Sequence, residues 1–441
     1  QLALLAIGKT VGQHVRLVIQ AHPGQQFQRT FTGFLLGTAE AAEIEEHAGH
    51  AIVQVLVHAD HHVLQQCHFL EHADVLEGAG NAALGDLVRG DGADVVVIER
   101  VSPNSENIDL GSGAIVNRGK RVIALDLKSP EGVAHVLDLV QRGDVLIEGM
   151  RPGVMERLGL GPEVCLARNP RLVFGRMTGW GQQGPLAQAA GHDINYIALS
   201  GALWYAGHPG EPPMAPPSLV GDIGGGALYL AIGVLAAAMH ARDTGNGQVV
   251  DAAIVDGSAH MMNLLLSLKA AGQVASIRGC SILDGPHWYS TYRCADGNFI
   301  SVGSLEPKFY ALLCKKLGLA GDSSFDDGYD RDAWPELKQR FSEIFAMRTR
   351  EEWRTLLEGS DACFAPVLDP DEAARHPHMA ARGVYREIDN ILQAMPAPRF
   401  SGSSLPIPGP IPLHHEDPST IRRGWSKPDR CGITARTDCC E

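Results

Sequence analysis

The 441-residue sequence lacks the features that mark several classes of protein. It has no excess of positive charge, because 37 Lys and Arg stand against 51 Asp and Glu for a net charge of −14. Such a chain is a poor candidate for non-specific binding to nucleic acid, and an anionic ligand would need a local basic cluster. Its longest nearly apolar run, residues 227–240, is shorter than the ~20 residues that cross a bilayer. We therefore expect neither a nucleic-acid partner nor a membrane partner.

Disulfide and targeting signals are sparse as well. The nine Cys are scattered without CxxC spacing, and a chain of this size builds a core without disulfides. We recognise no charged and apolar leader followed by a small-residue cleavage site. These absences predict a reduced, soluble protein of the cytoplasm. At ~100–200 residues per domain, the length predicts two or three domains.

The two ends of the chain differ in composition from the rest. Residues 1–77 contain nine of the nineteen His and show little periodicity. One patch there has the side chains of a zinc site, namely His58, His61, His62, Cys67 and His68, but structural zinc sites usually draw their ligands from two separate hairpins or turns. We therefore expect an ordinary segment without a metal. Residues 403–441 are rich in Pro, Ser and Gly and predict an extended, exposed tail.

A globular body lies between these ends. Its four short apolar runs are typical of buried parallel strands, and they cover residues 93–99, 121–126, 144–148 and 171–177. Ser129 and Pro130 offer the cap and the first position of a helix after the second run. Strands that alternate with helices predict an α/β fold with a parallel sheet covered on both faces. We assign it to a large domain of residues 78–275, completed by about 380–402.

The elements become shorter after about residue 285. Asp296-Gly297 separates two apolar runs, which is the usual signal of a β-hairpin. We therefore predict a smaller α+β domain over residues 285–366, which gives the chain two folded domains between its unusual ends.

Basic residues gather where the predicted strands end. They are Arg100, Arg118, Lys120, Arg121, Lys128, Arg151 and Arg157. Because ligands of open parallel sheets bind at the carboxyl ends of the strands, this cluster suits a partner that carries phosphate. A solvated rim of cations would explain the same residues equally well.

Two further segments carry groups suited to catalysis. His192 stands at the head of an apolar segment, and either a catalytic or a core histidine fits that position. Asp222 precedes the apolar helix, and an aspartate in that position can simply act as the N-cap of the helix. Three glycines follow it, Gly224, Gly225 and Gly226, and they exceed what a cap needs. A ligand lying against bare backbone, with N–H groups donating to a developing oxyanion, would explain them.

From about Asp91 to Phe400 the sequence resembles the family III CoA-transferase superfamily, and within it the racemase branch that acts on 2-methylacyl-CoA thioesters. The matching stretches include residues 92–96, 126–129, 145–149, 151–154, 156–161, 176–181, 191–196, 219–222, 247–251 and 302–307. The resemblance implies a Rossmann-like large domain with a parallel sheet, a small α+β domain, and an interlocked homodimer with its active site between subunits. It also implies that no metal or redox cofactor is used and that CoA is part of the substrate.

The resemblance further implies a role for individual residues. His192 and Asp222 match the two catalytic bases, and Glu306 of the small domain matches the residue that supports the His. The CoA-contacting positions correspond to Arg100, Leu125, Lys128 and Arg157. The transferase branch instead uses the aspartate that matches Asp222 as a nucleophile and generally lacks a His at position 192. The resemblance therefore favours a racemase, with a transferase or an inactive family member as the alternatives.

The residue types agree with that chemistry. A thioester acidifies the hydrogen on its α-carbon, and inversion of that carbon needs one acid/base group on each face. Buried His and Asp side chains both titrate within reach of neutral pH. One feature departs from the family, because residues 1–77 do not resemble its first strand, loop and helix. Without that strand we expect an edge or a gap in the sheet.

Overall fold

The computed structural model describes residues 15–20, 50–55, 68–72, 93–100, 115–402 and 407–424. The chain divides into two compact units, residues 1–65 and 66–441. In the first unit, β1 (Val15–Gln20) pairs antiparallel with β2 (His50–Val55). Of the histidine patch, His58, His61, His62 and Cys67 lie outside the described residues. Within the described ranges, no group of three or more His, Cys, Asp or Glu is arranged to hold a metal ion.

The second unit is built on a six-stranded sheet in the order β5-β4-β3-β6-β7-β8. Its strands are β3 (His68–His72), β4 (Asp94–Arg100), β5 (Arg121–Leu125), β6 (Val145–Glu148), β7 (Val173–Thr178) and β8 (Val249–Ala253). All neighbouring strands run parallel. Val96, Ile123 and Val145 are fully buried, as expected where both faces of a sheet are covered. The predicted α/β fold is confirmed, and the four predicted runs form β4 to β7.

The centre of the sheet is occupied by a strand that the sequence did not reveal. Phe69 of β3 pairs with Val95 on one side and with Val145 on the other. The prediction that residues 1–77 stand apart and leave a gap in the sheet is therefore wrong for residues 68–72. Only Phe69-Leu70 gives an apolar signal between flanking His residues, and two residues are too few for a periodic pattern.

Helices follow and connect the strands of this sheet. They are α1 (Pro130–Val140), α2 (Val154–Arg157), α3 (Pro162–Arg168), α4 (Asp193–Ser200), α5 (Leu228–Thr244), α6 (Ile254–Met261) and α7 (Asn263–Ala270), with short 3₁₀ turns at Ile115–Asn117 and Ala202–Tyr205. The predicted start of α1 is confirmed, because the Ser129 hydroxyl accepts the N–H of Gly132 at 3.0 Å. Val136, Leu139 and Val140 of α1 are buried in the core of the large domain.

The longest helical stretch runs from Leu219 to Thr244, because a π-helical segment, Leu219–Ala227, continues directly into α5. Its 26 residues include a window of mean hydropathy 1.7, so length and composition would allow it to cross a membrane. Leu230 and Val234 are nevertheless fully buried. A Cβ built on Gly175 of β7 would lie 3.1 Å from Leu230 and 3.2 Å from Val234, which shows how closely α5 packs on the sheet.

The small domain has a core of its own. It contains β9 (Tyr289–Arg293), β10 (Phe299–Gly303) and β11 (Phe364–Val367), with α8 (Pro307–Lys316), a 3₁₀ turn (Ser323–Phe325), α9 (Trp334–Phe345) and α10 (Arg350–Leu357). The strands are antiparallel in the order β11-β10-β9. Gly297 turns between β9 and β10 with φ +81°, so the predicted hairpin is confirmed. Trp288, Phe341 and Phe345 are fully buried between sheet and helices.

After the small domain the chain returns to the sheet. It forms α11 (Pro370–Arg375), α12 (Pro377–Arg382), the hairpin β12 (Tyr385–Ile388) and β13 (Ile391–Ala394), and α13 (Pro418–Gly424). The buried Arg118 donates to Asp389 at 2.8 Å and to the Ile388 carbonyl at 3.0 Å. This hairpin is thereby tied to the segment that leads into β5.

The predicted extended, exposed tail is wrong where Glu416, Ile421 and α13 attach it to the large domain, although Ile407 and Leu413 are exposed as predicted. The Glu416 N–H donates to the Val122 carbonyl at 2.7 Å, and its carboxylate pairs with Arg121 at 3.0 Å. This segment therefore lies along the edge of β5, one of the two outer strands of the sheet. Ile421 of α13 is fully buried in the core of the large domain. Pro and Gly indicate an extended path, but they do not indicate whether that path packs against the rest of the protein.

Candidate active site

A cleft lies at the carboxyl ends of β6 and β7. Parallel strands place these ends at one edge of the sheet, where the loops that follow them converge. The loops after β6 and after β7 contribute residues 149–152 and 177–180 to its walls, and Asp222 and Ile254 complete it. Two of the predicted catalytic residues, His192 and Asp222, both line this cleft.

His192 occupies the position just before α4. Its backbone is extended, and the Asn195 side chain accepts its N–H at 3.0 Å. The next turn is held by Tyr196, whose hydroxyl donates to the Gly191 carbonyl and whose ring meets Trp180 edge-on at 4.7 Å. These contacts hold the backbone around His192 while its side chain stays exposed at the cleft.

Asp222 lies in the first turn of the π-helical segment, and π-helical turns occur often at functional sites. Only 9% of the surface of Asp222 is exposed. Burial raises the pKa of Asp222 to about 6 and the Asp193 carboxylate adds to the rise, whereas a hydrogen bond with Ser218 and the His192 imidazole oppose it. A carboxyl with this pKa can both release and accept a proton near neutral pH.

Asp193, which the sequence analysis did not single out, joins the two candidate bases. Its Oδ1 accepts the N–H of Gly221 at 2.7 Å and the N–H of Asp222 at 2.9 Å. A Cβ on Gly221 would lie 2.4 Å from that oxygen, so this contact requires glycine. The available signal was an acid in the first turn of a helix, but acids in that position commonly serve only the helix dipole.

Gly224, Gly225 and Gly226 lie inside the helical stretch. A Cβ on Gly225 would lie 2.3 Å from the Ser258 hydroxyl of α6. The helical hydrogen bonds of this segment span five residues, as from the Ile223 N–H to the Ser218 carbonyl at 3.1 Å. Close packing against α6 therefore accounts for the glycine at 225, and the oxyanion role of the three stays a prediction.

An ion network that is buried at Arg176 and Glu148 supports one wall of the cleft. Arg176 of β7 donates to Glu148 at 2.6 Å and to Glu156 at 2.8 Å. Glu148 also accepts the N–H of Met150 at 2.7 Å, which holds the loop that lines the cleft. Burial raises the pKa of Glu148 although Arg176 opposes the rise, and the hydrogen bond from Arg176 lowers the pKa of Glu156. No sequence periodicity distinguishes Arg176 from an exposed strand residue.

The predicted CoA-contacting residues lie at the same edge of the sheet but do not line the cleft. Arg100 ends β4 and pairs in register with Leu125, the last residue of β5. Leu125 is buried in the core, whereas Lys128 and Arg157 are exposed. Their contacts with CoA stay predictions.

Glu306 is the third of the predicted catalytic residues. It immediately precedes α8 in the small domain and is half-buried. Its charge adds to the rise that burial causes in the pKa of both Tyr329 and Cys363. It is not among the described residues that line the cleft, and its support of His192 stays a prediction.

Comparisons with known proteins agree with the fold. The sequence profile of CoA-transferase family III matches residues 64–418. The chain is similar to "Alpha-methylacyl-CoA racemase" of Mus musculus, with 40% identity over 349 residues that cover 78% of this chain and 86% of the relative. It is 44% identical to "Alpha-methylacyl-CoA racemase" of Homo sapiens over 295 residues, which cover 67% of this chain and 75% of that one.

A solved structure has the same architecture. The crystal structure of a CAIB/BAIF family protein from Brucella suis superposes with a TM-score of 0.71 at 25% identity and covers 82% of this chain and 99% of its own. The profile match begins before β3 and ends in α13, so it includes the central strand and the segment that lies along β5. The chain therefore belongs to CoA-transferase family III.

Proposed function

We propose that this protein is an α-methylacyl-CoA racemase, which interconverts the (2R) and (2S) forms of 2-methylacyl-CoA thioesters. Relatives at 40% and 44% identity bear that name. The observation that carries the proposal is the presence of His192 and Asp222 in one cleft. Few reactions need two different acid/base groups around a single reacting atom, and inversion of an acidic carbon is one of them.

The proton transfers follow from the two side chains. In one direction, neutral His192 removes the proton from C2 and protonated Asp222 delivers its proton to the opposite face. The reverse direction starts from the ionised Asp222 and the protonated His192. The pKa of Asp222, which burial raises to about 6, allows both of its protonation states to be populated near neutral pH. No electrons are gained or lost, so the reaction calls for no redox cofactor, and the absence of a metal stays a prediction.

The CoA portion of the substrate needs a separate place. Arg100, Leu125, Lys128 and Arg157 lie near the ends of β4, β5 and α2, at the edge of the sheet where the cleft opens. We expect these four residues to contact CoA, with the three cations near its phosphates. A CoA-bound substrate is consistent with a cytoplasmic protein, which stays a prediction.

A homodimer would complete the site. Large apolar side chains are exposed on elements that pack against one another, among them Leu199 of α4 (61%), Leu219 of the π-helical segment (61%) and Leu264 of α7 (67%). An apolar surface of this kind is usually covered by a partner. We assign a second copy of the chain to it, because Glu306 is not among the described residues that line the cleft of its own subunit. The partner subunit's Glu306 would then support His192.

Isotope exchange tests the catalytic assignment. In D₂O the enzyme should incorporate deuterium at C2 of a 2-methylacyl-CoA as it racemises the substrate. His192→Ala and Asp222→Ala should each lose racemisation, whereas His208→Ala, which changes an exposed His outside the cleft, should behave like the wild type. Racemisation at the wild-type rate in either single variant would contradict the two-base assignment, whereas exchange at C2 without inversion would fit it, because the remaining base can exchange the proton on its own face.

Mass spectrometry separates the racemase from the transferase alternative. A transferase would carry an acyl or CoA adduct on Asp222 after incubation with an acyl-CoA, whereas a racemase would carry none. Light scattering would identify an inactive member of the family, because such a protein should fail to form a soluble dimer.

Mixed dimers test the source of Glu306. We expect His192→Ala and Glu306→Ala to be inactive alone and active after co-expression, because one site of the mixed dimer then holds an intact His192 and the partner subunit's intact Glu306. If Glu306 acted within its own chain, both sites of the mixed dimer would be defective and activity would stay absent.

A further inference from the structure

We propose that Asp193 is a positioning residue for the proton transfer, which holds Asp222 in the cleft and controls its charge state. The inference rests on the proposed function and deepens it. The carboxylate of Asp193 touches neither the acyl chain nor C2 in this scheme. It acts through Asp222.

Two hydrogen bonds allow Asp193 to hold Asp222 in position. A single oxygen of Asp193 accepts two successive N–H groups, from Gly221 and from Asp222, at 2.7 and 2.9 Å. Asp193 is itself buried, with 8% of its surface exposed. Since it directly follows His192, one residue step links the imidazole to the backbone that carries the opposing carboxyl. The distance between the two bases is thereby held by the fold and not by the substrate.

The charged and polar groups around Asp222 decide which of its protonation states is favoured. The charge of Asp193 favours the neutral form of Asp222, and the His192 imidazole and the Ser218 hydroxyl favour the ionised form. From β7 and α6 the cleft receives Met177 and Ile254, which carry no charge. Asp193 is thus the one anion among the described groups that act on Asp222. Without it, burial would still raise the pKa of Asp222, but a smaller fraction of Asp222 would be protonated near neutral pH.

The variant Asp193→Asn separates the effect of the hydrogen bonds of Asp193 from the effect of its charge. Asp193→Asn keeps an oxygen that can accept both N–H groups and removes the charge. In this variant we expect the limb of the pH–rate profile that belongs to Asp222 to move to lower pH by about one unit, with KM changed by less than about threefold. Asp193→Ala removes the acceptor as well, and its kcat should fall by about 100-fold. Asp243→Asn neutralises an exposed acid of α5 and should leave the limb in place.

Two further measurements keep the inference testable. In ¹³C NMR of Asp-labelled protein, Asp193→Asn should lower the titration midpoint of Asp222, a result that needs no turnover and holds even if the substrate is another acyl-CoA. Should Asp193→Asn fail to fold, Asp193→Glu serves instead, because it keeps the charge and displaces the oxygen: kcat should fall while the limb stays in place. The proposal would be overturned if folded Asp193→Asn left both the Asp222 limb of the pH–rate profile and the titration midpoint of Asp222 unchanged. It would also be overturned if Asp193→Glu displaced that limb.

Discussion

Replacement of Asp222 by Asn tests the electrostatics of the cleft without any substrate. Burial raises the pKa of Asp222 to about 6, whereas an unfolded Asp titrates near about 3.9. At about 1.36 kcal/mol per pKa unit, ionisation of Asp222 in the folded protein costs about 3 kcal/mol, which the water in the open cleft reduces to about 1–2 kcal/mol. We therefore expect Asp222→Asn to increase the free energy of unfolding by about 1–2 kcal/mol at pH 8.

The pH dependence has a definite sign. A raised carboxyl pKa contributes stability that is present below a pH of about 4 and is lost as the pH rises through about 6. The advantage of Asn should therefore grow over that window and stay constant above it, and urea unfolding between pH 4 and pH 8 measures it. Asp322→Asn is a control of opposite sign, because the hydrogen bond from Arg340 lowers the pKa of Asp322 to about 2 and Asn should destabilise there. An Asp222→Asn advantage that does not vary with pH refutes the reasoning.

Three other substitutions test the packing around the cleft and the sheet. Arg176→Met leaves Glu148 buried without its cation and should lower the free energy of unfolding by about 3–5 kcal/mol, and a second change, Glu148→Leu, should restore part of the loss. Gly225→Ala places a methyl group 2.3 Å from a side-chain oxygen of α6, so urea unfolding should show a loss of about 1–3 kcal/mol. Ile421→Ala empties a fully buried position in α13 and should cost about 2–5 kcal/mol. Ile407→Ala, at a position that is 60% exposed, should leave the midpoint of thermal unfolding nearly unchanged.

The sequence was most informative where one local rule decides the structure. A strand buried on both faces must be apolar almost throughout, so β4 could be recognised from Val95–Ile98 alone. The start of α1 follows from a hydroxyl that can accept an N–H and from a proline that needs none. His192 and Asp222 could be selected because both carry the chemistry and both stand at the start of a helical segment.

The features that were missed depend on contacts between distant parts of the chain. β3 is a strand because β4 and β6 offer hydrogen bonds on both of its sides, and nothing within His68–His72 reports those neighbours. Asp193 accepts the backbone N–H groups of Gly221 and Asp222, which lie 28 and 29 residues further along the chain. The packing of Ile421 likewise depends on a groove beside α1 that is formed by another part of the sequence.

The segment along β5 has a consequence for synthesis of the protein. The side chain of Arg121 meets Glu416, 295 residues further along the chain. During synthesis on the ribosome, the edge of β5 therefore stays unpaired while the small domain and the hairpin of β12 and β13 are made. A nascent chain in this condition is prone to pair with other chains, and long-range closure slows folding. We expect the yield of soluble protein in cell-free translation to depend on chaperones until α13 has emerged.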